Sequence, residues 1–259
     1  MSTIIPIPAF ADNYIWLIRN GRHAAVVDAG DAKPVIEFLD RENVELTAII
    51  CTHHHGDHVG GNNELLARWP VPVFGPAQED IPGRSHALRE GDRVMVPGIQ
   101  LPLSVLDIPG HTAGHIALHG RLDEVPLVFS GDTLFAAGCG RLFEGTPRQM
   151  VNSLDKLAAL DPQTRVYCGH EYTLSNLRFA LAVEPDNPVV REREVREQRK
   201  RAAGESTLPS TIGDEHLTNP FLRTAEPSIA DAASARAGRH LSDRVSVFAE
   251  IRAWKNAFR

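Results

Sequence analysis

Cysteine is scarce in this chain, with three in 259 residues, at positions 51, 139 and 168. An odd, widely spaced set with no C-x-x-C pair frames neither a disulfide scaffold nor a thiolate zinc site, and a reducing compartment fits it best. Also missing is any window of about 18 apolar residues able to span a membrane. The N-terminal stretch MSTIIPIPAFADNYIWLIRN has no basic segment followed by an unbroken apolar one, so no secretory leader is read in it and the cytoplasm is the expected location. A surplus of positive charge is absent too. The 27 Lys and Arg against 33 Asp and Glu leave a formal charge of −6, which argues against a nucleic-acid or anionic-membrane partner held by bulk electrostatics. No internal repeat or low-complexity tract stands out. With 42% hydrophobic and 23% charged residues, the composition is that of an ordinary globular chain, long enough for one large or two modest domains.

What is present is a mixture of strand and helix patterns. Short β-branched runs recur at 14–19, 23–30, 46–52, 71–75, 101–110, 125–132 and 165–170, each reading as a strand. Between them, Asp31 can cap a helix whose apolar stripe is Val35, Ile36, Phe38 and Leu39. Thr146-Pro147 opens another, with Met150, Leu154, Leu157 and Leu160 at helical spacing. After about residue 172 strand patterns nearly vanish, and helices are predicted over 174–183, 189–203, 227–237 and 242–257. Within these, VVREREVREQRKRAA is dense in both charge signs and reads as a solvated helix face. The expected organisation is an α/β catalytic domain over 1–172 and a helical, substrate-binding domain over 173–259.

The densest chemistry lies in CTHHHGDHVGG, residues 51–61, where four histidines and an aspartate occupy His53 to His58. A surface cluster without a role accounts poorly for five ligand-type side chains in six positions, and metal ligation accounts for them well. The loop follows an apolar strand, where sheet proteins commonly place chemistry. His53 and His55 alternate and can face one metal, with Asp57 and His58 displaced along the turn toward a second; Gly56, Gly60 and Gly61 permit the tight backbone this needs. Three later segments add ligand types beside glycines: PGHTAGH with His111, FSGDTLF with Asp132 and YCGHEYT with His170.

The set THHHGDH, GHTAGH, SGDTLF, GCGRLFEGT and GHEYTLSN resembles the metallo-β-lactamase superfamily and, within it, the glyoxalase II group, the hydroxyacylglutathione hydrolases. The first three motifs are those of the superfamily; the last two and the helical C-terminal extension narrow the resemblance. It implies a four-layer αβ/βα sandwich with two facing mixed sheets, followed by the helical domain. It further implies one divalent ion held by His53, His55 and His111 and a second held by Asp57, His58 and His170. Asp132 bridges the pair, and Asp57 and Asp132 take the catalytic part together with a hydroxide shared by the ions. The ions expected are zinc, with iron or manganese equally compatible with His and Asp ligands. His54 is expected to point away from the site and His115 to support or pack against it. Asp28 reads either as a turn residue or as a partner for the free N–H of a ligand histidine.

Such a cluster can bring the pKa of water from about 15.7 to about 7 and polarise a carbonyl, and positive charge already in place meets the developing oxyanion. A thiol, with a pKa of about 8.5, departs without a dedicated acid, which suits a thioester. The metal motifs alone serve other chemistries on the same fold. The resemblance implies hydrolysis of S-D-lactoylglutathione to D-lactate and glutathione, the second step of methylglyoxal detoxification. It places Arg141, Tyr172, Arg252 and Lys255 against the glutathione, and puts Phe143 where some members carry a tyrosine that contacts it. By spacing alone Arg252 and Lys255 are a solvated face at i and i+3. The only partner implied is this small thioester, with no nucleic acid or membrane, and the chain is expected to be a monomer. Two rivals remain: a mononuclear-iron persulfide dioxygenase of the same fold, and a non-catalytic metal-binding protein, against which the complete set of ligands weighs.

Overall fold

The computed structural model describes residues 2–258. Its first sheet runs in the order β1 (Ser2–Ala9), β2 (Asn13–Asn20), β3 (His23–Val27), β4 (Glu45–Ile50), β5 (Val73–Pro76) and β6 (His86–Leu88). Strands β1 to β3 are antiparallel, and β3 to β6 are parallel. Helix α1 (Ala32–Glu42) makes the first crossover, and α2 (Gly56–Val59) and α3 (Asn62–Arg68) follow β4. The Asp31 carboxylate accepts from Lys33 N at 2.9 Å, the predicted cap of α1.

The second half of the sandwich begins with β7 (Arg93–Val96), β8 (Leu101–Asp107), β9 (Ile116–Leu122) and β10 (Val125–Gly131). A small hairpin, β11 (Leu134–Phe135) and β12 (Gly138–Cys139), then leads to α4 (Pro147–Ala158), which opens on a capping box between Thr146 and Gln149. β13 (Arg165–Cys168) returns beside β10 in parallel, and beyond it come α5 (Thr173–Val183), α6 (Pro188–Ala202), β14 (Ser210–Thr211), α7 (Ile212–Thr218), α8 (Pro227–Ala237) and α9 (Arg244–Ala257). The second sheet has the order β14-β13-β10-β9-β8-β7.

Alternation along the strands explains the layers. On β2, Trp16 and Ile18 enter the core between the sheets while Ile15 and Leu17 enter the core beneath α1 and α3. On β10, Leu127 and Phe129 face the first sheet, and Val128 faces α4 and the C-terminal helices. Strands covered on both faces read as continuous apolar runs rather than alternating ones, as YIWLI does. Three apolar slabs between four layers make the metallo-β-lactamase sandwich. Helices α7 to α9 share their slab with α4 and β10, so the helical region is packed onto the second sheet rather than tethered beside it.

Two expectations need correction. The charged run of α6 is not simply a solvated face: Arg193 and Glu197 are 3% and 2% exposed. Arg193 pairs with the buried Glu215 at 2.8 Å, and Glu197 is flanked by Arg196 and Lys200. Charge density shows how polar a helix is but not which neighbour covers it. Strand β1 was also missed as a pattern, because Pro6 and Pro8 demote a strand reading; it is an edge strand, where proline costs no ladder hydrogen bond.

Candidate metal centre

The histidine loop leaves β4 at Ile50 and turns into α2. Gly61 sits where an added Cβ would meet Ala32 N at 2.6 Å, so the α2–α3 junction lies tight against the start of α1. Gly56, by contrast, has open space around it, and its expected role in tightening the loop is not borne out. From the second sheet, His111 comes from the β8–β9 loop, Asp132 follows β10, and His170 follows β13. Gly169 brings the backbone so close that a Cβ there would lie 2.6 Å from Asp132 Oδ1.

Three groups of ligand atoms form, the atoms of each lying within 4.8 Å of one another: His53, His55 and His111; Asp57, His58 and His170; and Asp28 with His53 and His58, one ring from each of the other two. Asp132 touches the first two. Its Oδ2 is 3.5 Å from His111 Nε2 and 3.2 Å from His170 Nε2, and its Oδ1 is 3.3 Å from His58 Nε2. Asp57 Oδ2 lies 3.4 Å from His170 Nε2 and 3.7 Å from His58 Nε2.

The outward nitrogens are mostly taken. His58 Nδ1 faces Asp28 Oδ2 at 3.1 Å, His170 Nδ1 donates to Asp12 Oδ1 at 2.8 Å, and His111 Nδ1 donates to Arg141 O at 2.9 Å. Thr52 Oγ1 lies 3.1 Å from His53 Nδ1 and donates to Asp28 Oδ2, so Asp28 does carry a supporting contact as well as a turn conformation with φ +58°. Such contacts fix which nitrogen a histidine presents. Asn13 Nδ2 donates to Asp57 Oδ2 at 3.0 Å. Neither Asp12 nor Asn13 stood out in the sequence, since Asp-Asn after a strand reads as an ordinary turn.

Inward, His53 Nε2, His58 Nε2 and Asp132 Oδ1 are buried with no hydrogen-bond partner, and His55 Nδ1 sits 3.1 Å from His111 Nε2. Buried polar atoms without partners are costly, and divalent cations held among these atoms would satisfy them. The donor set fits divalent metal ions.

Charge divides the groups. Burial pushes His53 well below the usual imidazole range and lowers His55 and His111, favouring the neutral rings that ligate. Burial acts the same way on His58 and His170, but Asp132 outweighs it, with Asp28 adding to the effect on His58, and both are raised. Asp132 resists burial because His58 and His170 face it, and its carboxyl is held well below its ordinary value.

His54 turns away, as expected. Its Nδ1 lies 3.0 Å from the buried Glu79 and its Nε2 3.4 Å from Glu144. His115 is a supporting residue: stacked on His53 at 4.6 Å, it accepts from Asp132 N at 3.1 Å.

A cleft of about 500 Å³ opens from this centre, and its lining includes Arg141, Phe143, Tyr172, Ser175, Arg252 and Lys255. All the residues expected against the substrate thus line one cleft with His55, Asp57, His111, Asp132 and His170. Tyr172 stacks on His170 at 4.7 Å, and Phe143 packs edge-on against His55 and His111. The solvated-face alternative fails for Arg252, which is buried, and Lys255 is half-buried. Arg252 is 6% exposed and donates to Cys139 O at 2.6 Å, and Lys255 Nζ donates to Ser175 O at 3.0 Å.

Fold and centre together are those of a metal-binding protein on the metallo-β-lactamase fold. A family model described as metallo-beta-lactamase superfamily matches residues 10–170, and one described as hydroxyacylglutathione hydrolase C-terminus matches residues 171–258. A protein of Nitrosomonas europaea named hydroxyacylglutathione hydrolase is 52% identical, covering 100% of this chain and 97% of its own. One of Alkalilimnicola ehrlichii with the same name is 59% identical, covering 99% of each chain. TTHA1623, whose crystal structure is of a di-iron-bound form, superposes with a TM-score of 0.60 at 26% identity, covering 84% of this chain and 100% of its own. This chain belongs to the hydroxyacylglutathione hydrolase family of the metallo-β-lactamase superfamily.

Proposed function

We propose that the protein hydrolyses S-D-lactoylglutathione to D-lactate and glutathione at a centre of two divalent ions. His53, His55 and His111 would hold one ion, Asp57, His58 and His170 the other, and Asp132 both. When bound, the ions supply Lewis acidity for the thioester carbonyl and lower the pKa of water. The observation that carries this reading is the cleft itself, whose lining combines residues of the histidine and aspartate cluster with Arg141 and Lys255. Its volume suits a ligand of glutathione's size.

In this reading Lys255 and Arg141 meet the two glutathione carboxylates, and Arg252 shapes the wall by holding Cys139 O. Phe143 covers the His55 and His111 rings and shields that face from water. Asp28, Asp12 and the Arg141 carbonyl hold protons on the outward nitrogens so that the inward ones stay free as ligands. The thiolate leaves without an acid, and the residues near the cluster offer none that is needed. We assign residues 1–172 to catalysis and 173–259 to substrate binding, with α9 supplying Arg252 and Lys255. Dinuclear occupancy is supported by the di-iron form of TTHA1623. Zinc is the proposed ion, with iron or manganese compatible. A cytoplasmic location is proposed on the three free, buried cysteines, and a monomer is the proposed state; among the described residues no helix is long and apolar enough to cross a membrane. Steady-state turnover of S-D-lactoylglutathione, read beside metal content and oxygen uptake, tests the proposal. Two ions per chain with thioester turnover are expected; one iron with oxygen consumption and no hydrolysis would point to the dioxygenase chemistry instead.

A further inference from the structure

The turn joining β11 to β12 carries Phe135 and Cys139 into the cleft wall, a few residues after Asp132. Its own ladder is short, pairing only Leu134 with Cys139 and Phe135 with Gly138. Ala137 has φ +54°, in the left-handed region that a residue with a Cβ adopts only at a cost. Further backbone groups of the turn are held by side chains from the helical region. Asn176 Nδ2 donates to Ala136 O at 3.0 Å, and Asn219 Nδ2 donates to Phe135 O at 3.3 Å and to Gly138 O at 2.9 Å. Arg252 donates to Cys139 O, and Ala137 N donates to Glu215 Oε2 at 2.7 Å.

Glu215 is the hub of this arrangement, at 0% exposure. Its Oε2 also accepts from Asn219 Nδ2 at 2.9 Å, while its Oε1 accepts from Arg193 at 2.8 Å and from the Ser210 hydroxyl. Arg193 also donates to Ser210 Oγ at 2.7 Å and to Thr218 Oγ1, while its buried Nε has no partner. Nothing in this network touches the metal-ligand candidates, and a buried ion pair is weak evidence for stability on its own. What it does is fix, from α6 and α7, the strained turn between two strands that contribute Phe135 and Cys139 to the cleft wall.

We infer that Glu215, with its counter-ion Arg193, is a positioning residue for the substrate cleft, locking the 135–139 turn and with it Phe135, Cys139 and the anchor of Arg252. The inference rests on the proposed thioester hydrolysis for its kinetic consequence and on the turn alone for its structural one. A merely structural ion pair predicts something different, because replacing both partners by apolar residues of similar volume is often neutral.

The test compares wild type, Glu215→Gln and the double variant Arg193→Met/Glu215→Met, all metal-loaded. Read-outs are hydrogen exchange at the turn amides, thermal stability, metal content, and KM and kcat on S-D-lactoylglutathione. Glu215→Gln is expected to exchange faster at Ala137 and to raise KM about five- to tenfold, with kcat within about twofold and metal content unchanged. The double variant is expected to regain thermal stability but neither the exchange protection nor the KM. Wild-type KM and exchange in a folded double variant would overturn the inference. Slow exchange at Ala137 in both variants would overturn it whatever the turnover. Absence of thioester turnover in the wild type counts against the proposed function instead, and the exchange data then still decide the lock.

Discussion

The two ends of the cleft are built by opposite means. At the metal end, side chains from four loops of the two sheets converge; His111 and His170 have a hydrogen-bond partner on the outward nitrogen, and that of His58 faces Asp28 at 3.1 Å. At the basic end, charge arrives on α9 and is only partly satisfied: Lys255 rests on Ser175, and burial, with Arg252, Arg178 and Arg141 nearby, pushes its pKa down to about 8. The first end is pre-set for bond breaking, and the second is an unmatched positive site awaiting an anion. We therefore expect damage at the metal end to fall on kcat and metal content, and damage at the basic end on KM.

The largest effect is expected at Asp132. Asp132→Ala removes the carboxylate that faces His58, His111 and His170 together, so kcat should fall by about a thousandfold and metal content with it. Near-normal turnover with two ions bound would break the bridging assignment. One step out, Asp12→Ala frees His170 Nδ1, and metal affinity should weaken by about 10- to 100-fold while KM at saturating metal stays put. Metal titration of the stripped protein measures it.

A smaller effect is expected from pH at the basic end. Lys255 in the free protein loses its proton near pH 8, and a bound carboxylate raises that value. Its contribution to binding is therefore complete below about pH 8 and is lost as pH climbs through the raised value. KM for the glutathione thioester should be flat below that point and rise above it, and KM for a thioester without carboxylates should not change there. The smallest effect is at Phe143, which is 63% exposed and packs on His55 and His111. Phe143→Tyr adds a hydroxyl at little cost in stability and should lower KM by about two- to fivefold. An unchanged KM would remove position 143 from the glutathione contacts.

The same contrast decided what could be read from the sequence. Ligands crowded into His53 to His58 announce themselves, and short Gly-ligand groupings mark the other three. The strands were legible for a similar reason, since doubly buried ones such as YIWLI leave continuous apolar runs, whereas the four layers followed from the resemblance. The supporting residues were not. Asp12 meets His170 and Asn219 meets Phe135 across more than 80 positions, and each looks like an ordinary turn or cap residue until the fold joins them. Arg193 and Glu197 were hidden in a run of charges whose covering neighbours lie outside the helix. Arg252 is an intermediate case: its place at the cleft followed from resemblance, but its burial against Cys139 O did not. Reversing its charge would also bury an anion against a carbonyl, so Lys255 is the better probe of the basic end.

That probe gives the most direct test of the division between the two ends. Lys255→Ala and wild type are compared on S-D-lactoylglutathione and on a small thioester lacking the glutathione carboxylates. We predict a KM about tenfold higher on the first with kcat within about twofold, and no change on the second. A loss carried by kcat, or an equal loss on both substrates, would contradict the assignment of chemistry to one end of the cleft and recognition to the other.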